Sequence, residues 1–262
     1  MRLDWLTLPL TMLTYLQDSG IWNISKIGWG KDNENHEILE DGSLKVFYPK
    51  GSYSPSKFPQ GGIGFYASPE NIFPAEEVFF SYDVRFDETF QPILGGKLPG
   101  LFFSEGTEKK YMREASGGNH NNNTASLRIV WRKDYDAEVY VYLPDNQSAE
   151  YQQIPNLIQN DVFGDSLWRG LIKLQPTEWN KIMIRVKMNT FDKDGNPNTN
   201  GILEICINEQ RQKFTKLIWR TNPSTSITAI LFSTFFGGGS EKYATPVDTW
   251  SYFRNFRVKK IQ

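Results

Sequence analysis

The chain has 262 residues, 39% of them hydrophobic and 15% aromatic, with a formal net charge of −1. This length buries a full core and suits one large domain, because all-β sandwiches reach this size as single units. Near-neutral charge provides no overall field for nucleic acid or an anionic membrane, so any affinity for a polyanion must come from local clusters of Lys and Arg. The single cysteine, Cys206, excludes an intrachain disulfide and a Cys/His metal set, and two histidines, His36 and His120, argue against a multi-histidine metal site; no ligand set demands a metal, and no cofactor is expected.

In chain order, residues 1–20 form an apolar stretch closed by Gly20 and are predicted to be a short N-terminal helix. Its start loosely resembles a signal peptide, but Asp4, Pro9 and the lack of a small-residue cleavage site argue against one. No stretch is long enough to span a bilayer. Strands are predicted at 43–48, 62–67, 77–86, 98–104, 125–132, 138–143, 181–188, 201–208, 227–236 and 251–259. Many of them alternate apolar and polar residues with period two, the pattern of a sheet with one face in a core. No β–α–β rhythm appears, which argues against a parallel α/β fold. The predicted fold is therefore an all-β antiparallel sandwich of jelly-roll type over residues 21–262, preceded by the helical extension 1–20.

Two long loops interrupt the strands. Residues 105–123 carry Lys109, Lys110, Arg113 and three consecutive asparagines. Residues 192–201 are rich in Asp, Asn and Gly but lack the ligand spacing and closing Glu of an EF-hand, so a hairpin turn is expected there.

The most informative segment is a hairpin. In Ser126-Leu127-Arg128-Ile129-Val130-Trp131-Arg132, the residues Leu127, Ile129 and Trp131 share the face expected in the core. In Glu138-Val139-Tyr140-Val141-Tyr142-Leu143, Val139, Val141 and Leu143 do the same. Cross-strand partners of a hairpin share a face, so Ser126, Arg128, Tyr140 and Tyr142 form one patch on the other side. Such a patch alone also fits an ordinary solvated sheet face. Upstream, Gly95-Gly96-Lys97-Leu98-Pro99-Gly100 imposes an unusual backbone path, since Gly tolerates positive φ and Pro locks φ. It lacks the Gly-x-x-x-x-Gly-Lys-Ser/Thr pattern of a phosphate-binding loop.

Taken in order, Gly-Gly-Lys-Leu-Pro-Gly, Ser-x-Arg, and Tyr-x-Tyr twelve residues after the arginine resemble polysaccharide lyase family 14. The closing run from Phe232 to Gly239 and the segment from Trp250 to Phe256 fit the same group. So does the early Gly28-Trp29-Gly30-Lys31, which is most similar to members from chlorella viruses. The resemblance implies an enzyme that cleaves uronate-containing polysaccharide, alginate or glucuronan of an algal cell wall, by β-elimination. It implies active-site roles for Lys97, Ser126, Arg128, Tyr140 and Tyr142. The partner would be the acidic polysaccharide alone, with no nucleic acid and no membrane. The protein would act as a monomer on extracellular cell-wall material, virion-associated or secreted.

These residue types suit that reaction. Lys97 and Arg128 can stabilise the C5 carboxylate as it gains enolate character, and preorganised charge is usually the largest catalytic contribution. A tyrosine whose ordinary pKa of about 10 is lowered by neighbouring cations can exchange the protons. Lys97 is a second candidate base if burial or Arg128 depresses its pKa. Ser126 is expected to bond to the carboxylate or a hydroxyl. Further basic residues, Arg85, Lys181 and Arg185, together with His120, are candidate substrate-binding residues along a polyanion groove. The alternative is a noncatalytic carbohydrate-binding sandwich for acidic glycans, which would need no proton-transferring tyrosine beside a carboxylate clamp.

Overall fold

Alternation of apolar and polar residues decides the architecture seen in the computed structural model, which describes residues 5–9, 20–30, 34–107, 115–119 and 121–261. Within them the strands are β1 (Leu6–Thr7), β2 (Ile24–Trp29), β3 (His36–Ile38), β4 (Leu44–Tyr48), β5 (Ile63–Ala67), β6 (Glu77–Phe86), β7 (Gly96–Ser104) and β8 (Ala125–Trp131). They continue as β9 (Asp136–Tyr142), β10 (Asp165–Lys173), β11 (Asn180–Lys187), β12 (Gly201–Ile207), β13 (Gln210–Leu217), β14 (Ser226–Phe236) and β15 (Thr249–Lys260). They build two antiparallel sheets. The back sheet runs β13-β12-β11-β6-β15-β4-β3, with β1 also on β15; the front sheet runs β10-β9-β8-β7-β14-β5-β2.

The back sheet shows the sequence logic most plainly. Along β6 every second residue, from Val78 through Phe80, Tyr82 and Val84 to Phe86, is buried, and the residues between are partly exposed. Ile182, Ile184 and Val186 do the same on β11. These side chains meet Leu98, Leu101, Leu127, Ile129, Trp131, Val139 and Val141 of the front sheet in one continuous core. Each fully buried side chain of this size contributes about 1.5–3 kcal/mol. Strand β8 departs from the alternation because both its faces are covered: Ser126, Arg128 and Val130 are as buried as their core-facing neighbours.

All ten predicted strands are present, with ends that differ by one or two residues. The helix predicted over residues 1–20 is not supported. Leu6 and Thr7 instead pair with Val258 and Arg257 of β15. The reason is an open ladder: β4 covers β15 only from Thr249 to Phe253, so the far half of β15 has free backbone groups on that side. A short extended segment satisfies them and buries Leu8. The Pro9 carbonyl then accepts the Trp22 indole N–H at 2.9 Å. Residues 1–4 and 10–19 of the predicted helix lie outside the described residues. Strands β10 and β13 went unpredicted for different reasons. The β13 segment is Gln-Arg-Gln-Lys-rich, as an exposed edge strand tolerates, and β10 is broken by an irregularity described below.

Candidate active site

Lys97 reaches the outer face of the front sheet only because β7 contains an extra residue. Lys97 faces Val130, Leu98 faces Ile129, and Gly100 then faces Arg128, so Pro99 is left over as a bulge. Proline is tolerated there because a bulge does not need its missing N–H. The Pro99 carbonyl accepts a hydrogen bond from the Tyr82 hydroxyl of the back sheet at 2.9 Å. In a strict alternation Lys97 would share a face with Leu101 and Phe103, and both of those are in the core. The bulge reverses the alternation between them and sends Lys97 to the side of Arg128.

Gly100 is required by close approach. A Cβ there would lie 2.0 Å from the Leu127 carbonyl oxygen and 2.8 Å from the Arg128 Cα. Gly100→Ala is therefore expected to destabilise the fold by at least about 1–3 kcal/mol and to displace Arg128. Urea unfolding checks the first effect and the specific activity of the folded fraction checks the second; an unchanged midpoint would contradict the close approach.

Strand register places the other residues. Tyr140 faces Arg128 and Tyr142 faces Ser126 across β8 and β9. The row continues from Arg128 through Gly100 to Leu231 and Tyr66. The Lys97 Nζ lies 3.3 Å from the centroid of the Tyr140 ring. The Arg128 guanidinium carbon lies 6.0 Å from both tyrosine rings, which meet edge to face at 5.8 Å. Each phenol oxygen accepts a backbone N–H, Tyr140 from Gly164 at 3.0 Å and Tyr142 from Gly118 at 3.1 Å. The cluster opens into a cavity of about 650 Å³ whose walls include Trp29, Ser54, Pro55, Phe163, Gly238 and Tyr243.

The electrostatics follow from burial. Arg128 is 6% exposed and its Nε is buried with no hydrogen-bond partner among the described residues. Burial, reinforced by Arg128 and Arg132, holds the Lys97 amine well below the ordinary lysine value, with Glu138 acting the other way. Burial first, then the neighbouring Tyr142, holds the Tyr140 phenol above its ordinary value, against the opposing effect of Arg128 and the Gly164 N–H. For Tyr140 this reverses the expectation from sequence: desolvation outweighs the cations, and the phenol stays protonated while the lysine is the group driven towards neutrality.

The remaining predicted site residues separate. Ser126 is fully buried and donates to the Ala115 carbonyl at 2.6 Å. It therefore does not face the cavity, and instead anchors the segment 115–119 whose Gly118 N–H reaches Tyr142. Arg85, Lys181 and Arg185 do not line the groove, because β6 and β11 belong to the back sheet and turn their polar faces away from the front. There Arg85 stacks over Trp179 and Tyr252 at 5.3 and 4.5 Å. Arg185 pairs with Glu77 at 2.7 Å and Glu204 at 3.4 Å, and Lys181 is exposed. His120 lies outside the described residues. No group of three or more His, Cys, Asp or Glu among the described residues is placed to hold a metal ion.

The sequence reading did not single out the polar cluster beside Lys97. Glu138 is fully buried on the cavity face, bound by Arg132 through Nη2 and by the Ser166 hydroxyl at 2.9 Å. Arg169 Nε stands 3.5 Å from its other oxygen. Glu138 shares the face of Tyr140 and Tyr142 by simple alternation, so it was legible in principle. Arg169 was not, because its strand is irregular.

The structure is thus a two-sheet antiparallel sandwich with a cleft over its front sheet lined by Lys97, Arg128, Arg132, Arg169, Tyr140 and Tyr142. The family described as Polysaccharide lyase 14 matches residues 37–256, and this chain belongs to that family. The chain is similar to the marine PL-14 alginate lyase from Aplysia kurodai, at 31% identity and a TM-score of 0.84 with both chains covered in full. It is also similar to alginate lyase vAL-1 from Chlorella virus, at 28% identity and a TM-score of 0.81 over 98% of this chain and 99% of that one. Exolysin of Paramecium bursaria Chlorella virus 1 is 24% identical over 199 residues, a match covering 71% of this chain and 30% of that protein. The chain thus spans less than a third of the length of this curated relative.

Proposed function

We propose that this protein cleaves uronate-containing polysaccharide, alginate or glucuronan of an algal cell wall, by β-elimination at the Lys97–Arg128–Tyr140–Tyr142 cluster. The observation that carries the reading is the approach of the Lys97 amine to within 3.3 Å of the Tyr140 ring centroid, with Arg128 beside both phenols in one cavity. The similarity to alginate lyases of Aplysia kurodai and Chlorella virus supports the substrate class.

In this reading Arg128 binds the C5 carboxylate and offsets the charge that builds on it as the C5 proton leaves. Lys97, held towards its neutral form, takes that proton. The electron pair of the C5–H bond forms the C4–C5 double bond, and the C4–O bond breaks. The tyrosine pair gives a proton to the departing glycosidic oxygen, a role that suits a phenol kept protonated by burial. Ser126 contributes by holding the loop that donates to Tyr142. The working unit is a jelly-roll catalytic domain over residues 21–262, acting as a monomer on extracellular cell-wall polysaccharide, virion-associated or secreted. A noncatalytic binding module would have no use for a lysine whose pKa is lowered beside a phenol whose pKa is raised.

The test is to incubate the protein with polymannuronate, polyguluronate and glucuronan while following ultraviolet absorbance. Elimination leaves a 4,5-unsaturated sugar that absorbs, and the signal is expected with at least one of the three. Binding without any absorbing product would support the noncatalytic module instead.

A further inference from the structure

Strand β10 leaves its ladder with β9 at Leu167, opposite Val139, and rejoins it at Ile172, opposite Ala137. Residues 168–171 therefore stand against a single residue, Glu138. Within this wide bulge Trp168 has φ of 57° and Gly170 has φ of 74°. A tryptophan in the left-handed region is sterically costly, and such strain is kept where the surrounding structure over-determines it, often beside a functional site. Here the side chain of Trp168 is 2% exposed and packs in the core. Its neighbour Arg169 is thereby turned to the opposite side, where it lines the cavity. The Asn156 side-chain amide holds the turn by donating to the Arg169 carbonyl at 2.9 Å.

The cavity wall carries four basic residues, Lys97, Arg128, Arg132 and Arg169, and no Asp or Glu among the described residues. One uronate at the reaction centre uses Lys97 and Arg128. Behind the other two, Glu138 engages Arg132 through a terminal nitrogen but Arg169 only through Nε. The terminal nitrogens of Arg169, the part of the guanidinium that grips a carboxylate in bidentate fashion, make no hydrogen bond or closer ion pair among the described residues and can take a ligand. Arg169 is 40% exposed, compared with 15% for Arg132, so it is the more accessible of the pair.

We propose that Arg169, supported by Glu138, binds the carboxylate of a uronate adjacent to the one being cleaved, and so helps set the shortest oligouronate that is cut efficiently. The proposal rests on the elimination reading of the Lys97–Arg128 centre. It makes Arg169 a substrate-positioning residue, and the bulge in β10 the device that aims it.

The experiment compares wild type, Arg169→Ala and Arg169→Lys in two measurements: kcat and KM on mannuronate oligomers of increasing length, and calorimetric Kd for the same oligomers at low and moderate salt. Loss of one charge-assisted bidentate contact is expected to raise KM and Kd by about 10–100-fold in Arg169→Ala. The change in kcat should stay within about twofold, as for lost uniform binding. The salt dependence of Kd should become shallower in Arg169→Ala and return in Arg169→Lys, which keeps the charge and loses the fork. Unchanged KM and Kd would overturn the proposal, as would a fall in kcat at constant KM. If Arg169→Ala does not fold, Arg169→Lys decides by its Kd alone. Should wild type release no unsaturated product from any polyuronate, the elimination reading fails, and the calorimetric comparison still judges the carboxylate site.

Discussion

Lys97→Met is expected to lower the rate of unsaturated-product formation by about 10²–10⁴-fold, the usual weight of a general base, while raising thermal stability at neutral pH. The two effects share one cause. Burial and the Arg128 and Arg132 charges depress the Lys97 pKa in the fold, whereas in the unfolded chain the amine titrates near its ordinary value of about 10.4. Between the folded and unfolded values the unfolded chain binds more protons, so stability rises with pH across that window. Below the folded value the destabilisation from Lys97 is at its full size. Removing the amine should therefore raise Tm most near neutrality, and the gain should shrink as pH approaches the ordinary lysine value. Melting curves of wild type and Lys97→Met over about pH 6 to 10 check this. A variant less stable than wild type throughout would mean that the amine is charged and paired with Glu138, and the base assignment would fail.

Arg128→Lys should reduce kcat by about 10²–10³-fold, the scale of losing one preorganised transition-state donor. Lysine keeps the charge but cannot grip a carboxylate with two parallel N–H groups. Arg128→Ala should also move the pH–rate profile. Arg128 is the stronger of the two cations that depress Lys97, so its removal lets the Lys97 pKa rise. The acid limb of the profile, which reports the base becoming neutral, should then shift to higher pH in Arg128→Ala and much less in Arg128→Lys. Initial rates across pH for the three proteins measure the shift. Profiles that superimpose would separate Arg128 from the base.

The site was legible where regular alternation carried it. Arg128, Tyr140 and Tyr142 lie on the face that their hairpin pattern predicts, and the β8–β9 register pairs Tyr140 with Arg128. Lys97 was marked by the family resemblance that its Gly-Gly-Lys-Leu-Pro-Gly surroundings carry, and the structure adds how it reaches the cavity: Pro99 is the extra residue of a bulge. Arg169 was hidden because positive φ at Trp168 and Gly170 breaks the period-two signal. Arg85, Lys181 and Arg185 alternate with buried residues on β6 and β11, but a strand's own sequence does not say which sheet it joins.

The sequence by itself determined ten of the fifteen described strands, the two-layer character, the inward faces and the hairpin that carries two tyrosines opposite an arginine, because these depend on local periodicity. Only the tertiary structure decided which polar face overlooks the cleft, that the Ser126 hydroxyl bonds the Ala115 carbonyl, and that burial lowers the Lys97 pKa while raising that of Tyr140. Those outcomes depend on sheet order and on desolvation, and both are set by residues distant in the chain that no local pattern records.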